Sequence, residues 1–158
     1  MKDYVHLPSP HGGGAQKPNL LVIHAMGEFI HTPTQDYYAP DFLIKLGYSA
    51  HAFVTPSGTI IKSREDNQVA YHAKGFNINS LGIEFLVPGL HNYASFLNAI
   101  EKEWLSIEQL IAGADYIKGN WLANGAIKTV RHSDLSPDRK KDPGAGFPWQ
   151  DFLKMLSS

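Results

Sequence analysis

Residues 19–24 read Asn-Leu-Leu-Val-Ile-His, a continuous apolar run too short for a helix and rich in β-formers. Because it does not alternate with polar residues, a strand made from it needs apolar cover on both faces, as in the centre of an α/β sheet. Residues 81–87, Leu-Gly-Ile-Glu-Phe-Leu-Val, repeat the pattern with a single carboxylate, Glu84, inside it. A third strand is predicted over Ala-Ile-Lys-Thr-Val-Arg-His, 126–132. Residues 48–54 and 59–63 flank Thr-Pro-Ser-Gly, where Pro56 presets the turn and Gly58 follows it, so they predict a hairpin. A helix over 106–121 begins with Ser106 and Gln109 as a capping box. Its apolar stripe is Ile107, Leu110, Ile111, Ala114, Ile117 and Trp121. Further helices are predicted over 36–46, closed by Gly47, over 148–156 from Pro148, and within 90–105. Residues 1–18 read as an irregular arm. The expectation is one α/β domain over 1–158, with a central mixed β-sheet flanked by helices on both sides.

A chain of 158 residues suffices for one domain with a real core. With a net charge of −1 and no run of lysine or arginine, nucleic acid and anionic membrane are poor partners. The sequence holds no cysteine, so any metal must be bound through nitrogen and oxygen. No apolar run is long enough to span a bilayer. The polar, Pro/Gly-rich opening predicts a soluble chain without a Sec-type export signal, cytoplasmic as synthesised, with release or delivery to the cell wall by a phage or secretion route left open.

The eight histidines stand at 6, 11, 24, 31, 51, 72, 91 and 132. His24 and His132 each end a predicted strand, and their imidazoles converge if both ends lie on the same side of one sheet. Read singly, each also fits an ordinary core or rim histidine. Asp142 opens an Asp-Pro-Gly turn in which Pro143 restricts the aspartate's backbone and Gly144 lets the chain reverse. Two imidazoles and one carboxylate, with a fourth position left for water, make the donor set of a catalytic zinc site. The same tripeptide also builds plain surface turns.

Glu84 has two readings. One is a buried ion pair with Arg131 or Arg64. The other is a proton acceptor in a site where Gly82, on the same face, leaves room for a substrate. Lys140 is either a solvated lysine, as Lys141 is expected to be, or a cation placed to stabilise an oxyanion.

Val-Ile-His (22–24), Ala-Tyr-His-Ala-Lys-Gly (70–75), Asn-Ser-Leu-Gly-Ile-Glu-Phe (79–85) and the block from Arg131 to Trp149 occur in an order that resembles the zinc-dependent N-acetylmuramoyl-L-alanine amidases. That fold is shared with peptidoglycan recognition proteins and amidase-type phage lysozymes. Pro-Ser-Pro-His at 8–11 leans toward the AmpD-like members that recycle muropeptides. The resemblance implies His24, His132 and Asp142 as zinc ligands, Glu84 as general base and Lys140 as transition-state cation. His51, His72 and Asn79 would lie around the groove for peptidoglycan or a soluble muropeptide. The alternative it leaves open is a non-catalytic peptidoglycan-binding module. Three places depart from the family's pattern: Ala25-Met26-Gly27 where a polar residue is frequent, a short segment after His72 that holds no arginine, and 89–105, which reads as inserted.

Overall fold

The computed structural model describes residues 4–27, 47–124 and 127–158. Its centre is strand β2 (Leu20–Met26), buried at every position after Leu20. β2 runs parallel between β5 (Ser80–Leu86) and β6 (Lys128–Arg131). The hairpin forms as expected, β3 (Ala52–Val54) pairing antiparallel with β4 (Ile60–Lys62). β3 also lies parallel to β5, and β1 (Val5–His6) lies parallel to β4 at the edge. The six strands run β1-β4-β3-β5-β2-β6, a mixed sheet whose middle is parallel.

Alternation sorts β2 and β5 between two faces. Leu21, Ile23, Leu81, Ile83 and Phe85 point into a core shared with helix α2 (Ile107–Asn120) and helix α4 (Trp149–Ser157). Helix α1 (Tyr93–Ile100) packs at the strand ends, where Ile100 meets Ala25 and Val87. A Cβ at Gly113 would strike the Phe85 ring, so this glycine lets α2 approach the sheet closely. On the opposite face Val22 packs with Ala73, Val130 and Leu135, the last on the one-turn helix α3 (His132–Leu135). His24 and Glu84 are register partners in the parallel pair and share this second face.

Four expectations change. Ile107 and Ile111 are 61% and 44% exposed, so the buried arc of α2 is Leu110, Gly113, Ala114, Tyr116 and Ile117, continued by Trp121. Ser106 does cap α2, its hydroxyl accepting Gln109 N at 3.0 Å. The Gln109 side chain does not complete a capping box. It is fully buried and donates to the carbonyls of Val54 and Leu86, both at 2.9 Å. The arm is woven into the fold: β1 extends the sheet, and Gln16 Nε2 reaches Asp66 O and Ser80 O at 3.1 Å. The strand predicted over 126–132 stops at Arg131, and His132 opens α3. The helix expected over 36–46 lies outside the described residues.

Candidate active site and metal centre

The parallel register sets the site. β2 carries His24 to the sheet's end beside Glu84 on β5, and β6 delivers His132 one residue beyond its last pairing. The 132–144 loop then folds back. Ser133 N donates to Asp142 O at 3.0 Å and Lys140 N to Ser136 O at 2.8 Å, which returns the Asp142 carboxylate to His132. Gly144 has a φ of +81°, and a Cβ there would run into Ile100 O, so the turn needs glycine on both counts.

Three donor atoms meet. His24 Nδ1 lies 3.0 Å from His132 Nδ1 and 3.2 Å from Asp142 Oδ2, and His132 Nδ1 lies 3.2 Å from Asp142 Oδ1. All three side chains are buried, and together they form a group that can hold a metal ion. Burial pushes the His24 pKa down, which favours the neutral imidazole a metal requires. Burial alone would raise the Asp142 pKa. The imidazoles of His132 and His24 beside it outweigh that and hold the carboxylate ionised well below the usual range.

Glu84 Oε1 stands 3.8 Å from His24 Nδ1. Neither arginine considered for it pairs with it. Arg131 bonds Asp134 at 3.0 Å and stacks over Trp149 at 5.1 Å. Arg64 is spent on the carbonyls of Ser9, Gly13 and Val69. A cleft of about 330 Å³ opens over these groups. Lys140 lines it, and so does Lys141, expected only as a solvated lysine. Arg139 and Lys74 add two more cations, the latter on the short segment after His72. Phe96 and Leu97 of α1 form an apolar wall, so the 89–105 segment does shape the groove. Gly27 makes this possible, since a Cβ there would collide with Phe96.

The three residues expected around the groove separate. His72 lines the cleft, but both its ring nitrogens are engaged, Nδ1 with His24 Nε2 at 2.9 Å and Nε2 with Ser80 Oγ at 3.0 Å. Burial pushes its pKa far down. His51 is fully buried away from the cleft. Its Nδ1 accepts Gly82 N–H at 3.0 Å and its Nε2–H donates to Gln68 O at 2.8 Å, leaving nothing for a ligand. Asn79 lies on a 3-10 turn (Asn77–Asn79) outside the cleft lining and donates to Asn19 Oδ1 at 3.1 Å. Gly82 leaves room for the His72 ring, which a Cβ at that position would strike, and not for a substrate. Sequence reasoning missed Asn77, whose Oδ1 accepts the backbone N–H groups of His72 and Ala73 at 3.0 and 2.8 Å. No local signal marks it, since an Asx turn bonds backbone two residues onward whereas Asn77 reaches back four and five residues.

Residues 14–145 match the family described as N-acetylmuramoyl-L-alanine amidase. The 1,6-anhydro-N-acetylmuramyl-L-alanine amidase AmpD of Enterobacter cloacae is 29% identical over 181 residues, covering 99% of this chain and 91% of that protein. A crystal structure of a selenomethionine AmpD derivative superposes with a TM-score of 0.73 at 24% identity, covering 99% of this chain and 96% of that one. The E. coli amidase AmiD in complex with anhydro-N-acetylmuramic acid-L-Ala-D-γ-Glu-L-Lys has a TM-score of 0.67 at 24% identity, over 90% of this chain and 58% of that one. Both structures share this fold.

Proposed function

Because the chain belongs to the N-acetylmuramoyl-L-alanine amidase family, we propose that the cleft over His24, His132 and Asp142 is its active site and that these residues hold zinc. The activity is hydrolysis of the amide joining the lactyl group of N-acetylmuramic acid to L-alanine. One observation carries the assignment: two imidazole nitrogens and a carboxylate converge on one point at separations of 3.0–3.2 Å. Tetrahedral zinc, with bonds of about 2.0–2.1 Å to such donors, places neighbouring ligands roughly 3.3 Å apart. The donors present therefore fit it, and they leave a fourth direction open toward the cleft.

Zinc held there supplies Lewis acidity, making water nucleophilic near neutral pH and polarising a carbonyl. The protein's own groups do the rest. Glu84, on the cleft side of His24, takes the proton of the attacking water and returns it to the departing alanine nitrogen. Lys140 brings its ammonium to the negative charge that grows on the carbonyl oxygen. Ala25 and Met26, both buried, add an apolar lining to the cleft beside His24. Lys74, Arg139 and Lys141 rim the cleft and suit a substrate whose stem peptide carries carboxylates. Among the described residues no helix is long and apolar enough to cross a membrane.

Mass spectrometry of a defined muropeptide, incubated with wild type and Glu84→Gln with and without chelator, tests the reading. Wild type releases free stem peptide only when zinc is present. Glu84→Gln keeps its zinc and loses roughly 10²–10⁴-fold in rate, the usual worth of a positioned acid–base group. Full activity in zinc-loaded Glu84→Gln would remove Glu84 from the proton path.

A further inference from the structure

The Ser80 hydroxyl has one proton, and Oγ donates it to Phe76 O at 2.7 Å. The oxygen lone pairs are what it offers to His72 Nε2, 3.0 Å away, so Nε2 must carry a hydrogen. A neutral imidazole protonated there presents a bare Nδ1, and that atom lies 2.9 Å from His24 Nε2. His24 then donates through Nε2, and its own Nδ1 is left as a lone pair. That is the atom facing His132 Nδ1 and Asp142.

We infer that His72 is a positioning residue which, with Ser80 and the Phe76 carbonyl, locks His24 in the tautomer that ligates a metal through Nδ1. The inference rests on the metal reading above. Direction comes from the backbone: a carbonyl can only accept, so the relay runs one way, from His24 through His72 and Ser80 to Phe76 O. Reversing it would place a hydrogen on His24 Nδ1, inside the donor triangle.

The surroundings hold the relay in place. Asn77 Oδ1 grips the backbone at His72 and Ala73. Only glycine at 82 leaves space for the ring, because a Cβ would overlap it. The rings of His24 and His72 meet edge to face at 85° with centroids 5.1 Å apart, an arrangement that aims one nitrogen at the other. Partners that orient a metal-ligating histidine are worth roughly 10–100-fold in metal affinity.

Long-range ¹H–¹⁵N NMR of the metal-free and zinc-loaded protein reads the His24 tautomer directly. Competition with a chromogenic chelator gives the zinc affinity of wild type, His72→Phe and His72→Asn. The expected result is an Nε2–H tautomer of His24 even without metal. His72→Phe should bind zinc roughly 10–100-fold more weakly. His72→Asn, whose amide oxygen takes the place of Nδ1, should recover most of that loss. An Nδ1–H tautomer in the metal-free protein, or His72→Phe within about twofold of wild type, would overturn the inference. If His72→Phe does not fold, the wild-type tautomer and the His72→Asn affinity still decide. Wild type that takes up no zinc would refute the zinc reading instead, while the metal-free tautomer continues to judge the relay.

Discussion

His51 offers a quantitative test that a groove residue would not meet. Its Nδ1 accepts a backbone N–H and its Nε2–H donates to a backbone carbonyl, so a second ring proton would point at Gly82 N–H. Burial lowers its pKa from 6.5 to about 4. At about 1.4 kcal/mol per pH unit, protonating it in the fold costs on the order of 3 kcal/mol more than in the unfolded chain. The unfolded state takes up this proton below about pH 6.5, while the native state resists until about pH 4. Stability from His51 is therefore complete above pH 6.5 and drains away as the pH falls through that window. Asparagine at 51 can still accept Gly82 N–H but does not titrate. We expect His51→Asn to be less stable than wild type at pH 8 by roughly 1–3 kcal/mol, from the lost partner of Gln68 O. That deficit should shrink by about 3 kcal/mol at pH 4, since the other titrations are common to both proteins and cancel. Urea unfolding of chelator-treated protein at a series of pH values measures it. A deficit that stays constant from pH 8 to 4 would refute the reasoning.

Lys140→Met should lower amidase turnover roughly 10²–10³-fold at unchanged zinc content, since it removes an oxyanion partner and no ligand; a parallel fall in bound zinc, by metal analysis, would place the lysine in support of the metal instead. Gln109→Leu strips the donors from the buried carbonyls of Val54 and Leu86 and should cost roughly 2–4 kcal/mol in urea unfolding. A change below about 0.5 kcal/mol would mean that those carbonyls find other partners.

The sheet was legible because its central strands are apolar at nearly every position, a pattern few other elements produce. His24, Glu84 and His132 were legible for a related reason: each interrupts an apolar run or ends one where polarity carries a cost. Asp142 stands in a polar stretch and was legible only from the Asp-Pro-Gly turn that it opens. His51 was misplaced because a histidine satisfied twice by backbone looks, in sequence, like one waiting for a ligand. Asn77 and Ser80 went unread because they act through short side-chain bonds to a turn whose shape is set only by the fold. Gln109 shows the limit of local rules. Its position fits a capping box, but the nearby ends of β3 and β5 offered two buried carbonyls, and tertiary need prevailed. Ile107 and Ile111 satisfy the helical period yet face outward, because periodicity defines a stripe wider than the arc the sheet can cover.

The order of the strands also governs when a metal proposed for this site would bind. His24 meets His132 across 108 residues and Asp142 across 118. β2 must be zipped between β5 and β6 before the donors share a point, and such distant pairings form late in folding. A zinc ion held there would therefore not template this chain in the way a metal nucleates a small finger domain. It would arrive as a latch on a finished sheet, deepening the native well by mass action. Its mark would be a slower escape from the folded state, while the climb into it would proceed at the pace the bare chain allows.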